Sequence, residues 1–214
     1  GGVRIPLIVW NLPKSFDLPA IDTRLISHID ITASTLHLAG ISIPGWMQGK
    51  SFLQTQATRS EVYFARDRCD WTLDKIRGLT DGKYKYIKNY MPERSHMQSN
   101  YRDNWPEVIQ AKLLYKQGKL NADQARFFAP TRPPEELYDL LNDPHELHNL
   151  AEKPEYKATL TACRNKLKHW EQETGDLKNK PESAFALDEA NKNINTERSY
   201  LNFPLSWYMI PCTY

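Results

Sequence analysis

Asp81-Gly82 is the pair of residues that most narrows what this chain can become. It joins two runs of alternating character, residues 75–80 (K-I-R-G-L-T) and 83–90 (K-Y-K-Y-I-K-N-Y). Both central positions of such a turn favour positive φ, so the pair predicts a hairpin. Tyr84, Tyr86 and Lys88 then line one face, with Lys85 and Ile87 on the other. Residues 61–65 (E-V-Y-F-A) and 136–140 (E-L-Y-D-L) read as two further strands, which gives a small antiparallel sheet. The clearest helix spans residues 154–174. Its apolar positions Tyr156, Leu160, Cys163, Leu167 and Trp170 alternate by four and three and form one stripe. Pro154 suits the first turn and Gly175 the stop.

The front of the chain has another character. Residues 5–10 are an apolar run broken only by Pro6, short enough for a buried strand and too short to span a membrane. A strand over residues 3–10 and a Pro-bearing loop to residue 20 are expected. A helix follows over residues 30–39, where Asp30 accepts hydrogen bonds from first-turn amides and Gly40 takes the left-handed conformation that ends it. His28 and His37 flank or sit on that helix without a recognisable chemical partner. The polar stretch 54–60 is the best internal boundary. Residues 91–133 form a polar and aromatic insertion with helices expected at 106–117, stopped by Gly118, and at 121–128. The expected organisation is therefore 1–58, then 59–175 with its insertion, then a tail over 176–214.

Hydrophobic residues make up 40% and charged residues 25%, ordinary for a globular protein, and the net charge of +2 points to neither nucleic acid nor a membrane surface. The distribution is uneven. Residues 59–132 hold 15 Lys/Arg against 9 Asp/Glu, whereas 133–174 hold 5 against 9. A basic middle suits an anionic ligand, though a solvated face explains such an excess more often. Cys69, Cys163 and Cys212 are too sparse for a disulfide framework or a metal knuckle.

Among polar clusters, Arg66-Asp67-Arg68-Cys69-Asp70 stands out. It follows an expected strand and precedes another, where loops present side chains. Arginine offers a planar fork of donors to an oxyanion, and aspartate accepts sugar hydroxyls; ion pairing among the four charges is the alternative. Other strings mislead. Gly1-Gly2-Val3-Arg4 lacks the spacing of a phosphate loop. In His145-Glu146-Leu147-His148 the histidines stand three apart instead of the four a zinc helix needs, and Asp143-Pro144 marks a turn. Residues 83–90 interleave base and aromatic as single-strand binders do, which hairpin alternation also produces.

Three strings follow one another over the first 52 residues: G-G-V-R-I-P-L-I-V-W, S-H-I-D-I-T-A-S-T-L-H-L-A-G-I and M-Q-G-K-S-F. This ordered series resembles the second half of a sulfatase of the alkaline-phosphatase-like superfamily. I-R-G-L-T-D-G-K-Y-K-Y-I-K-N-Y-M-P, E-E-L-Y-D-L-L-N-D-P-H-E-L-H-N-L-A and K-H-W-E-Q-E-T-G-D make the heparan N-sulfatase (sulfamidase)-like group the nearest likeness. The resemblance covers residues 1–181. It implies an α/β class: a C-terminal fragment of the parallel-sheet core, its last strand and helix, plus a small antiparallel sheet packed by a C-terminal helix.

The resemblance also implies hydrolysis of sulfate esters or sulfamates, with sulfated carbohydrate as substrate and no nucleic acid or membrane span. Family members use a formylglycine made in a C/S-x-P/A-x-R motif and a calcium ion that orients and neutralises the sulfate. No cysteine here stands in that motif, and the aspartate ligands and catalytic basic residues are absent. Asp103-Asn104 lies far from the position of the family's Asp-Asn-Gly ligands. Calcium and formylglycine are thus expected only in a full-length parent, and this chain alone is expected to be inactive. A periplasmic or extracellular location is the expectation for that parent. The antiparallel subdomain borders the family's active-site cleft, so Arg66 or Arg68 would bind an anionic group, and Asp67 or Asp70 would accept a hydroxyl hydrogen. A non-catalytic module for a sulfated polysaccharide, a related phosphodiesterase or phosphatase, and a reading frame without function are the competing readings.

Overall fold

The computed structural model describes residues 3–16, 18–54, 59–69, 72–181, 183–185, 187–188 and 192. Its elements are α1 (His28–Leu38), β1 (Val62–Cys69), β2 (Thr72–Thr80), β3 (Tyr84–Asn89), α2 (Pro106–Lys116), α3 (Ala122–Ala125), β4 (Glu135–Asp139) and α4 (Lys157–Glu173). The four strands form one sheet in the order β1-β2-β3-β4. The bonds at the two ends of the last pair, Leu140 N–H to Lys83 C=O and Asn89 N–H to Pro134 C=O, run in opposite sequence order, so the strands are antiparallel.

The hairpin forms where expected, with a different turn. Gly82 takes φ +90°, but Asp81 is not among the positive-φ residues. The loop holds three residues, and the Asp81 carboxylate accepts the amides of Lys83 (3.0 Å) and Tyr84 (2.7 Å). That side-chain bond does the work a second positive φ would have done. β1 runs on through the charged residues 66–69 instead of ending before them. Residues 3–10, expected as a strand, pair with none among the described residues, and Ile8 and Trp10 are almost fully exposed. An apolar run becomes a strand only where a neighbour takes its backbone hydrogen bonds.

The chain divides into two compact units, each built on its own terms. One takes residues up to Phe64, Gly78–Ile87 and Glu136–Leu167. Among the described residues every buried hydrophobic side chain belongs to it: Ala33 and Leu53, Leu79 and Tyr86, Leu137 and Tyr138, Leu150, and the α4 stripe Leu160, Cys163 and Leu167. α1 starts with the Asp30 carboxylate accepting the Ser27 amide at 2.8 Å and ends at Gly40, φ +71°. The same buried carboxylate accepts the Lys50 amide at 2.8 Å and pairs with the Arg59 guanidinium, tying the segment after the helix back onto it. His37 does find a partner, Ser51 Oγ at 2.8 Å. Lys85 is buried and pairs with Glu146 at 2.6 Å, and Glu146 itself sits at φ +57°. The second unit takes Ala65–Arg77, Lys88–Glu135 and the chain from Lys168 onward. It includes α2, α3 and a 3-10 turn, Arg126–Phe128. The Asn121 and Gln124 side chains reciprocally bond each other's amides to start α3.

Gly78 on β2 is a position where only hydrogen fits. A Cβ there would lie 2.4 Å from the Phe64 ring and 2.6 Å from the Tyr86 carbonyl. Gly78→Ala is therefore expected to destabilise the fold by about 1–3 kcal/mol, the range for overpacking a filled core. Urea unfolding measures it, and an unchanged midpoint would show that the sheet yields at this point.

Candidate functional site

The residues singled out in the sequence lie on β1. Successive strand side chains point to opposite faces, so Arg66 and Arg68 share one face and Asp67 takes the other. Asp70 lies outside the described residues. Arg66 and Asp67 engage β2, not each other, and β2 supplies two buried charges of opposite sign, Asp74 and Arg77.

Asp74 is the centre of the first cluster. Its Oδ2 accepts Arg132 Nη1 at 2.9 Å and Gln98 Nε2 at 2.8 Å, while Oδ1 pairs with Arg132 Nη2 and accepts the Lys75 amide at 2.8 Å. Arg66 Nε stands 3.9 Å from the same carboxylate. That distance is an ion pair without a hydrogen bond, and Arg66 Nε has no hydrogen-bond partner among the described residues. The Arg66 side chain is 34% exposed, while the Nε atom itself is buried. Burial alone would raise the Asp74 pKa, but the hydrogen bonds and charge of Arg132 outweigh it and hold the carboxyl below its usual range.

Arg77 anchors the second cluster. Its Nη1 pairs with Asp67 at 2.8 Å and its Nη2 with Asp176 at 2.8 Å, while Nε donates to Asp176 Oδ2 at 3.0 Å. Lys178 extends the chain of charges to Glu171 at 2.7 Å, and Glu171 accepts the Tyr90 hydroxyl at 2.6 Å. Burial, then that bond to an anion, pushes the Tyr90 phenol well above its ordinary value. Asp67 is thus committed to a guanidinium although its side chain is half exposed. Of the partners, Arg132, Gln98 and Asp176 were not foreseen. They lie 24 to 99 residues from the strand groups they bond, and no spacing rule connects them.

The remaining polar strings are structural. Asp143 accepts the amides of Leu147 (3.0 Å) and His148 (2.7 Å), closing the turn that holds both histidines of the H-E-L-H string. Asp103 pairs with Lys112 at 3.0 Å. No group of three or more His, Cys, Asp or Glu is arranged to hold a metal ion among the described residues. A calcium ion asks for six to eight oxygen ligands, whereas Asp74, Asp67 and Asp176 each already face a guanidinium. The residues present do not fit that ion. No described helix is long and apolar enough to cross a membrane.

Because the folded Asp74 value lies below that of the unfolded chain, its stabilisation is present above roughly pH 4 and is lost as the pH falls through the folded value. Asp74→Asn strands the buried Arg132 charge and is expected to cost about 3–5 kcal/mol at pH 7. The same variant should lose less stability than the parent between neutral pH and pH 3. Denaturant unfolding at the two pH values checks both, and a variant as stable as the parent at neutral pH would remove Asp74 from the centre of this unit.

Residues 1–107 match the family model described as N-sulphoglucosamine sulphohydrolase, C-terminal. The chain is 37% identical over 185 residues to an ulvan-active sulfatase of Formosa agariphila, covering 85% of this chain and 31% of that protein. A second ulvan-active sulfatase of the same organism is 28% identical, with 94% of this chain and 43% of that protein covered. The chain spans less than half the length of these relatives. A solved 2-O GAG sulfatase superposes at a TM-score of 0.48 with 19% identity, over 72% of this chain and 26% of that one. With the family match extending over half of its residues, the chain belongs to the family of N-sulphoglucosamine sulphohydrolase C-terminal domains, the C-terminal domains of sulfatases.

Proposed function

We propose that this chain is the C-terminal part of a sulfatase that hydrolyses sulfate esters or sulfamates of sulfated carbohydrates. The observation that carries the reading is the family match over residues 1–107, supported by 37% identity to a sulfatase active on ulvan. The nucleophile and the calcium ligands belong, on this reading, to parts of the enzyme outside this sequence. No cysteine in the 214 residues stands in the formylglycine motif, and Asp67, Asp74 and Asp176 are committed to arginines. Without an activated nucleophile the sulfur centre is not attacked.

Within this assignment the β1 charges recognise substrate. Arg66 is the best supported of the four candidates, because its side chain is partly exposed and stands beside the Asp74 cluster. A sulfate or carboxylate on a sugar would complete it with a charge-assisted pair of bonds. Asp67 contributes through Arg77, holding β1 in place. Arg68 shares the Arg66 face, and Asp70, the next candidate in sequence, lies outside the described residues.

Two measurements test the reading. The 214-residue chain alone, incubated with calcium and an aryl sulfate or a sulfamate, is expected to give no turnover above a heat-killed control. In the complete enzyme, Arg66→Ala is expected to lower kcat/KM for a sulfated oligosaccharide about ten- to a hundredfold, while a small aryl sulfate is hydrolysed as before. Equal loss on both substrates together with a lower Tm would make Arg66 part of the structural ion-pair network instead.

A further inference from the structure

The segment that follows α4 does more than end a helix. Gly175 takes φ +61° and turns the chain, and the Asp176 amide donates to the Glu171 carbonyl at 2.9 Å. From there the chain lies against β2. The Asp176 carboxylate accepts Arg77 Nε at 3.0 Å and Arg77 Nη2 at 2.8 Å, a two-bond fork on one edge of the guanidinium. Two residues on, the Lys178 carbonyl accepts Lys75 Nζ, and the Lys178 ammonium pairs with Glu171 at 2.7 Å and with Asp176 at 3.5 Å. Burial works against the Asp176 charge, yet the bonds and charge of Arg77, joined by Lys178, hold its carboxyl below the usual range.

The other edge of the same guanidinium faces β1. Arg77 Nη1 pairs with Asp67 at 2.8 Å and donates to the Arg66 carbonyl at 3.3 Å. β1 is the end strand of the four-stranded sheet, with β2 as its neighbour. An end strand lacks the second ladder that holds an inner one, so side-chain bonds to it matter more. The guanidinium is planar and its side chain is 1% exposed, so its two edges move as one body. The carboxylate that fixes Nε and Nη2 therefore also sets where Nη1 points. The Arg66 side chain meets Asp74 at 3.9 Å, beyond hydrogen-bond reach, and its placement follows the backbone that carries it.

We infer that Asp176 is a positioning residue for substrate recognition: through Arg77 it fixes the β1 backbone at Arg66 and Asp67, and so aims Arg66 at an anionic group on the sugar. The inference rests on the reading of Arg66 given above. It gives the segment after α4 a part in specificity, 110 residues along the chain from the side chain it serves. A latch that only held the fold together would make Asp176 matter equally for every substrate.

Two measurements test it. In hydrogen–deuterium exchange of the 214-residue chain, Asp176→Asn is expected to speed exchange over residues 62–69 roughly tenfold and to leave residues 84–89 unchanged. In the complete enzyme the same variant is expected to raise KM for a sulfated oligosaccharide about five- to tenfold, with hydrolysis of a small aryl sulfate unaffected. Added to Arg66→Ala, it should lower oligosaccharide turnover no further, because two residues that act through one contact do not add. Asp176→Glu keeps the charge one methylene away and carries the same comparisons should the asparagine variant not fold. Equal acceleration of both stretches, no acceleration over residues 62–69, equal loss on both substrates, or full additivity with Arg66→Ala would overturn the inference. An Arg66→Ala enzyme with unchanged oligosaccharide kinetics, beside a local exchange change in β1, would locate the failure in the Arg66 reading, and the positioning role would fall with it.

Discussion

A carboxylate with no exposure to water, Asp74, holds one half of this molecule together. Its unit has no buried hydrophobic side chain among the described residues, so packing alone does not explain why the strand ends, the insertion and the C-terminal segment converge. Arg132 reaches Asp74 from near the end of the 91–133 insertion and Gln98 from near its beginning, so both sides of that excursion are pinned to one acid. Arg77, three residues along the same strand, repeats the device with Asp67 and Asp176. Taking such groups out of water is costly, and they remain charged because each has several hydrogen bonds of good geometry. The arrangement fixes which segment meets which far more selectively than an apolar contact of equal area would.

This bears on how the basic middle of the chain is to be understood. An excess of Lys and Arg over residues 59–132 suggested an anionic ligand, yet much of that charge faces inward. Arg77, Lys85 and Arg132 are all buried and paired with carboxylates, and the partners of the first two, Asp176 and Glu146, lie beyond the basic segment. Net charge counted along a sequence overstates the field outside, because partners distant in sequence are not counted with it. What faces outward is correspondingly less, the half-buried Arg66 side chain on the strand among it.

Local signals in the sequence were reliable wherever one element's own residues decide its shape. Asp81-Gly82 marked the hairpin, the Leu160–Cys163–Leu167 stripe marked α4, and Gly40, Gly118 and Gly175 all take positive φ at the helix ends where a stop was expected. Features decided by another segment were not legible. Residues 3–10 have strand composition, but composition does not supply a neighbour. The charged string 66–70 reads as a loop because four charges in five residues suggest water; the strand conformation of residues 66–69 goes with Asp74 and Arg77, which take Arg66 and Asp67 as partners. The Asp30–Arg59 pair was hidden for the same reason, since capping already accounts for an aspartate at the start of a helix.

Glu146 shows what such divided demands do to a single position. Its backbone lies in the left-handed region, at φ +57°, where glycine or asparagine is at ease and a longer side chain is not. Its carboxylate is the partner of buried Lys85. Glycine would relax the turn and leave a cation stranded; aspartate tolerates the backbone better but is one methylene short. The backbone and the ion pair therefore rank the twenty amino acids in nearly opposite orders. A substitution that survives at this site should arrive together with a change at Lys85, making the two positions a coupled pair in any set of homologues.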